Sequence, residues 1–167
     1  MEDSKSKAEA LNKQFQSVFT DEDMSTLPQM GTRKTQDISS IQILEKGIAK
    51  LLYKLTINKA SGPDTISCRI LREGTDEIAP YLKFIFEKSL KLKNVSYDWR
   101  TANITALFKK GDRSKPVNYR PISLTSVPCK IMEHIIFKHI MKHLETHNIL
   151  ADFYNMAFVK KDLAKHS

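Results

Sequence analysis

Apolar residues recur at helical spacing along most of this 167-residue chain, and they alternate in only one short segment. That segment, Asn103 to Phe108, predicts a strand with one buried face, because neighbouring strand residues point to opposite sides. A loop over residues 109–119 and an extended stretch over residues 121–125 are expected to follow. The segments with helical spacing are residues 8–19, 39–55, 64–72, 76–91 and 127–147. The pattern therefore predicts an α+β fold that is mostly helical, with one short hairpin.

Helix boundaries and core residues can be predicted from the same segments. We expect Ser39 or Ser40 to cap the second helix, Asp64 to cap the third after the Gly62-Pro63 turn, and Pro80 to lie in the first turn of the fourth. The expected core residues are Ile41, Leu44, Ile48, Leu51 and Leu52 on the second helix, and Ile78, Leu82, Ile85, Phe86 and Leu90 on the fourth. Trp99 and Phe108 are also expected in the core, although either can anchor a hairpin or stack on a base.

The positive charge of the chain is unevenly distributed. Residues 1–90 hold 13 Lys+Arg and 13 Asp+Glu, whereas residues 91–167 hold 14 and 6, so the second half carries the whole excess of +8. Charge alone fits either a solvated surface or a footprint for a polyanion. Cys68 and Cys129 lack metal-site or disulfide spacing and are predicted to be buried, reduced thiols. No secretory signal or membrane span is recognised, so an intracellular protein of the cytoplasm or nucleus is expected.

The basic segment Leu107 to Leu124 (LFKKGDRSKPVNYRPISL) has residues suited to holding phosphates. Lys109 and Lys110 can act as mobile point charges toward a triphosphate. Arg120 precedes a proline in extended backbone, and its planar guanidinium can bind two phosphate oxygens at once. The alternative is a solvent-exposed basic hairpin loop with no ligand.

Several short sequence motifs of this chain stand in the order in which one known protein family has them. They are KAEALNKQFQSVFTDED at residues 7–23, KASGPD at 59–64, Trp99-Arg100, ALFKKGD at 106–112 and NYRPISL at 118–124. With them the chain resembles the reverse transcriptases of non-LTR, LINE-type retrotransposons of the jockey-like group, over about residues 7–153. The resemblance divides the chain into an N-terminal helix and linker upstream of the polymerase (1–38), a fingers region (39–150) and a divergent, disordered tail (151–167).

The resemblance implies the fingers subdomain of a right-hand polymerase, with palm and thumb absent. Lys109 or Lys110 would contact the terminal phosphates of a deoxynucleoside triphosphate, and Arg120 would clamp the triphosphate. Arg113, Lys115 and Tyr119 would contact the RNA or DNA template-primer. Gly62, Pro63 and Asp64 would form a structural turn.

Catalysis in that family uses aspartates of an F-x-x-A-F-D-type strand and a Tyr/Phe-x-Asp-Asp turn, which hold two Mg²⁺ ions. Neither motif occurs here, so the resemblance assigns no catalytic residue, metal or cofactor to this chain, and Mg²⁺ is expected only for an intact enzyme. A Gln-x-Gly-Phe-Arg-type turn is also replaced by YNMAFV at residues 154–159.

Three functional interpretations follow. The chain is a truncated, catalytically silent reverse transcriptase that keeps its nucleotide and template contacts, a non-catalytic nucleic-acid-binding protein derived from a retroelement, or an inert pseudogene product. The histidines at four-residue spacing, His139, His143 and His147, share a helix face and could ligate a metal, but partly buried packing or contact with a neighbouring subdomain is the preferred interpretation. The oligomeric state is left open.

Overall fold

The computed structural model describes residues 3–19, 37–38 and 40–147, and these form five α-helices and one antiparallel hairpin. In chain order they are α1 (Ser4–Gln16), α2 (Glu45–Tyr53), α3 (Cys68–Glu73), α4 (Thr75–Leu92), β1 (Asn103–Phe108), β2 (Tyr119–Leu124) and α5 (Val127–Thr146). Short 3₁₀ turns occupy Tyr97–Trp99 and Pro116–Asn118. The predicted mostly helical fold with one hairpin is confirmed. Most of the predicted linker and the predicted tail of residues 151–167 lie outside the described residues.

Helices α2 to α5 bury their apolar stripes against one another in a single cluster. Its fully buried side chains include Ile48, Leu52 and Phe86. Trp99 packs against this cluster, with its ring centroid 5.6 Å from that of Phe86 and the planes at 67°. Such an edge-to-face pair is favourable beyond the area that it buries. The prediction that Trp99 belongs to the core is confirmed.

Three predicted core residues are not in the core. Leu44 is 65% exposed because it precedes α2 and therefore lies on no helix face. Ile85 is 43% exposed, since it is turned by about 100° around α4 from the buried Phe86. Phe108 lies on the hairpin, where it packs against Tyr119 and not against the helical cluster.

The helix starts also differ from the predictions. Helix α1 begins at Ser4, not at residue 8, because the Asp3 carboxylate accepts hydrogen bonds from two backbone N–H groups of its first turn. Helix α2 begins at Glu45 with Leu44 at the N-cap, so the serine cap predicted at residue 39 or 40 is wrong. Pro80 is the sixth residue of α4 and not part of its first turn.

Asp64 does not cap α3 as predicted, because Ser67 does so by accepting a hydrogen bond from the Ile70 N–H at 3.3 Å. Instead, the Asp64 carboxylate accepts a 2.6 Å hydrogen bond from the Ser126 hydroxyl, 62 residues further along the chain. Ser126 is itself the N-cap of α5. Asp64 therefore joins the Gly-Pro-Asp turn to the start of the longest helix.

Gly62 allows that junction to form. It is buried, and a Cβ at this position would lie 2.4 Å from the Ser126 nitrogen and 2.5 Å from the Thr125 carbonyl carbon. Both atoms belong to backbone that cannot move aside without displacing the end of β2 or the start of α5. Only glycine fits this approach of two backbone segments.

Both cysteines are free and buried, as predicted. The Cys129 thiol donates to a Glu133 carboxylate oxygen at 3.4 Å, and its sulfur lies 3.7 Å from the Trp99 carbonyl oxygen. Burial, followed by the hydrogen bond to Glu133, raises the pKa of the Cys129 thiol to about 11. Separately, no helix within the described ranges is long and apolar enough to cross a membrane.

Replacing Gly62 by alanine is expected to destabilise the fold by about 1–3 kcal/mol, because the added methyl overlaps backbone on both sides of Thr125. Urea unfolding followed by circular dichroism measures the change. Gly47→Ala is the matched control: Gly47 lies on α2, and its Cβ would meet only the Leu44 Cβ at 3.9 Å. That substitution should be neutral or stabilising through helix propensity. Equal midpoints for the two variants would contradict the close approach at Gly62.

The Cys129 thiol should resist alkylation at pH 8 in a Cys68→Ala background. With its pKa near 11, its thiolate fraction is about a hundredfold lower than that of a thiol of pKa 9. Because the folded pKa is the higher one, the stability linked to this proton is complete below about pH 9 and is lost as pH rises toward 11. Iodoacetamide labelling in buffer and in denaturing urea tests this. Equal rates in the two states would rule out the shifted pKa.

Candidate phosphate-binding hairpin

Strands β1 and β2 form an antiparallel ladder, and the end of β2 at Leu124 lies beside the helical cluster. Its register runs from Asn103 opposite Leu124 to Phe108 opposite Tyr119. The strand predicted over Asn103 to Phe108 has the predicted limits, but neither face is buried as predicted, and Ile104 is 55% exposed. A two-stranded ribbon is only marginally stable by itself in water. The loop and the packing at its tip must therefore contribute to its order.

The loop between the strands is fastened by the Asp112 and Asn118 side chains. The Asp112 carboxylate accepts hydrogen bonds from the Ser114 N–H at 2.9 Å and the Ser114 hydroxyl at 2.8 Å. The Asn118 side-chain amide donates to the Asp112 carbonyl at 2.7 Å. Gly111 has φ +89° and lies against the Asn118 side chain, so this position favours glycine for both its conformation and its contact.

Asp112 is the carboxylate within the basic loop of residues 109–118. Its hydrogen bond from the Ser114 N–H, and then that from the Ser114 hydroxyl, lower the pKa of Asp112. The carboxylate is therefore ionised at neutral pH and engaged in holding the turn. Because the Asp112 carboxylate holds the turn, it is not counted as a free metal ligand.

One face of the hairpin tip is aromatic. The ring centroids of Phe108 and Tyr119 are 5.4 Å apart at an interplanar angle of 63°, and the Arg113 guanidinium lies 4.7 Å from the Phe108 centroid. The Tyr119 hydroxyl donates to the Arg113 carbonyl at 2.9 Å. Helix α1 packs against the same end of the hairpin. Arg113 and Tyr119, predicted to contact nucleic acid, are thus used at least partly for packing.

The opposite face carries the predicted phosphate-binding residues. Arg120 pairs with Leu107 across the ladder, and side chains of directly paired residues share a face. A further backbone hydrogen bond, from the Lys109 N–H to the Asn118 carbonyl at 2.8 Å, extends the pairing by one residue. Strand alternation therefore places Lys109 and Arg120 on one face, at diagonal positions whose separation is about 7–8 Å in such ladders.

The other predicted cations lie at the tip. Lys110 and Lys115 are exposed loop residues on either side of the Asp112 turn. Among the described residues, neither these lysines nor Lys109 and Arg120 form an ion pair with a carboxylate. No described carboxylate therefore neutralises their charge.

His139 and His143 of α5 and the C-cap residue His147 form no metal-binding group with another ligating residue among those described. Within the described part of the chain, no group of three or more His, Cys, Asp or Glu residues could hold a metal ion. His139 is half-buried, and its Nδ1 lies 2.9 Å from the Ile135 carbonyl. The rings of His143 and His147 are 4.5 Å apart. The preferred interpretation, partly buried packing, is confirmed for His139 and His143.

Sequence reasoning missed Asp112 and Asn118 as the residues that shape the loop. A glycine directly before an Asp-x-Ser sequence is a recognised turn signal, and it could have indicated Asp112. The bond from Asn118 crosses six residues, and no local spacing rule points to it.

No protein-family model matches this sequence. Its similarity to curated proteins nevertheless shows distant homology to RNA-directed DNA polymerases, the reverse transcriptases of non-LTR mobile elements. The predicted resemblance is thereby confirmed.

The relatives come from individual transposons of the fruit fly. The chain is 32% identical to the RNA-directed DNA polymerase from mobile element jockey of Drosophila melanogaster over 56% of its length, and 28% identical to the probable polymerase from transposon X-element over 61%. It is 26% identical to the probable polymerase from transposon BS over 83%. These matches span only 10–15% of the relatives' own lengths.

Asn118→Ala should loosen the loop, because the Asp112 carbonyl loses its amide donor and Gly111 loses the side chain packed against it. A lost hydrogen bond of about 1 kcal/mol corresponds to roughly fivefold faster opening. Hydrogen exchange of the Lys109 amide measures this. Asn103→Ala, at the far end of β1, is the control and should leave that amide unchanged. The same exchange rate in both variants would show that Asn118 does not hold the loop.

Proposed function

We propose that this chain corresponds to the fingers region of a reverse transcriptase of a non-LTR mobile element, and that its hairpin holds the phosphates of an incoming nucleotide. The observation that carries the proposal is the placement of Lys109 and Arg120 on one exposed face of β1 and β2. Homology to RNA-directed DNA polymerases supports the substrate class. Template-primer and deoxynucleoside triphosphate are the proposed partners.

The two side chains suit different tasks. Arg120 lies within a strand and directly before Pro121, which limits its backbone freedom and leaves a fork that can accept two oxygens of one phosphate. Lys109 follows the end of β1 and contributes a compact charge on a flexible stem. A diagonal separation of about 7–8 Å suits the binding of neighbouring phosphate groups from one side.

Metal chemistry is not assigned to the residues of this chain. Mg²⁺ in a copying enzyme would be held by carboxylates, and the two aspartate motifs that the family uses do not occur in this sequence. The proposed task of the hairpin is therefore electrostatic: it binds and orients the triphosphate.

Arg120→Ala should weaken deoxynucleoside triphosphate binding by about fivefold to thirtyfold, the loss expected for a charge-assisted contact of about 1–2 kcal/mol. Amide chemical-shift titrations of the purified chain with dGTP report both the affinity and the location. Arg120→Lys keeps the charge without the fork and should recover only part of the binding.

Arg69→Ala is the matched control, because Arg69 is an exposed arginine on α3, away from the hairpin. It should leave dGTP affinity unchanged. Binding by the Arg120→Ala chain at the unaltered affinity would refute the clamp. Binding lost equally in both arginine variants would show that dGTP senses only the net charge.

A further inference from the structure

Helix α4 has apolar residues on two sides, and one of these sides is exposed. Phe86 lies on the other side, which is buried in the helical cluster. Tyr81 is 72% exposed and Phe84 is 63% exposed, and Ile85 and Leu92 are exposed as well. At about 100° per residue, these four exposed residues lie within about 100° of one another around the helix, facing away from the core. The helix therefore has a second apolar stripe.

This stripe has the spacing of a coiled-coil contact. Glu77, Tyr81, Phe84, Lys88 and Lys91 follow one another at intervals of four, three, four and three residues, and all five are exposed. Such a seven-residue repeat keeps side chains in one line along a helix that packs against another helix. At a rise of 1.5 Å per residue, the line is about 21 Å long. We call these five residues the α4 seam.

The two ends of the α4 seam have opposite charges. Glu77 lies in the first turn of α4, and Lys91 lies in its last turn, three residues after Lys88. Among the described residues, the ion pair on this helix joins Lys83 to Glu87 at 2.6 Å, and no charged residue of the seam takes part in it. The charges of the seam are therefore not neutralised by a described residue.

A second copy of α4 in antiparallel orientation matches this pattern. If Tyr81 of one copy lies opposite Phe84 of the other, the next pair outward is Glu77 opposite Lys88, because each lies four residues further along. Two-fold symmetry makes both pairs occur twice. The Lys88 ammonium is already 5.7 Å from the centroid of the Phe84 ring, beside the seam. Antiparallel helices also bring opposite ends of their macrodipoles together.

Other arrangements fit the charges less well. A parallel pair would place Glu77 against Glu77 and Lys88 against Lys88, and like charges in contact are unfavourable. An acidic partner would be repelled at Glu77, and a basic partner would be repelled at Lys88 and Lys91. The seam is complementary to itself and to no partner of a single charge sign.

We propose that the α4 seam is a self-association surface, through which two copies of this chain pair with their α4 helices antiparallel. A Tyr or Phe side chain covers about 150–250 Å² when fully buried, so the four central rings contribute several hundred Å². The whole contact stays near or below the roughly 1,200 Å² at which stable interfaces begin. The dimer is therefore weak, with a Kd of about 10–100 µM.

Sedimentation equilibrium of the purified chain tests the pairing, over a concentration range from about 5 to about 500 µM that brackets this Kd. The average mass should rise from that of one chain toward that of two. Phe84→Glu should keep the chain monomeric throughout. Phe137→Glu is the matched control, because Phe137 is a 58% exposed aromatic residue on α5, and it should dimerise as the parent does. Both positions are exposed, so thermal unfolding should change little.

Charge exchange tests the antiparallel register. Glu77→Lys and Lys88→Glu should each weaken association at least tenfold, because every changed contact occurs twice in the symmetric dimer. The double variant restores opposite charges and should recover association. An equimolar mixture of the two single variants should also dimerise, since each then meets its opposite charge.

Three outcomes would overturn the proposal. The first is a chain that stays monomeric at every concentration, and the second is association that Phe84→Glu leaves unchanged. The third is failure of both the double variant and the mixture to recover association. Arg120→Ala should dimerise as the parent does, because the seam shares no residue with the hairpin. Loss of nucleotide binding and loss of self-association are therefore separate results.

Discussion

The contact between Gly62 and the Ser126 backbone is the constraint on which the arrangement of this chain depends. It is made where β2 ends and α5 begins, and the Asp64 carboxylate closes it through the Ser126 hydroxyl. The same hydroxyl caps α5, so one buried polar side chain fixes both the turn and the helix start. Because the hairpin leads directly into this junction, its direction relative to the helical cluster is set here and not by burial of its own faces.

The hairpin keeps its shape by other means. Its strands bury little, so the order of its tip depends on the Asp112 and Asn118 hydrogen bonds and on the packed rings of Phe108 and Tyr119. Helix α1 packs on that end as well. This arrangement places the packing on one face and leaves the Arg120 face open to solvent. One face thus supports the structure of the hairpin, and the other carries the charge.

Much of the fold could be predicted from periodicity. The parts that could not be predicted have one physical cause in common. The stripe of α5 and the alternation of β1 are local patterns, and both gave correct limits or nearly so. Asp64 was misassigned because its partner, Ser126, is 62 residues away, and a nearby helix start offered a plausible local role. Alternation shows that a strand has two faces, but it does not show whether either face is covered. It therefore cannot show whether Phe108 lies in the core.

The same limit applies to the charges, and it explains why a net of +8 was ambiguous. A solvated basic surface normally mixes its lysines with carboxylates, whereas Lys50 of α2 and Lys138 of α5 line one cavity that has no carboxylate among its described lining residues. The four-residue intervals between Lys130, His134, Lys138 and Lys142 are visible in the sequence, but it does not show that Lys50, Lys54 and Lys59 line the same cavities. A row of cations on one helix is a surface feature. Which cations share a cavity is decided by the packing of α2 against α5, and no local spacing rule predicts it.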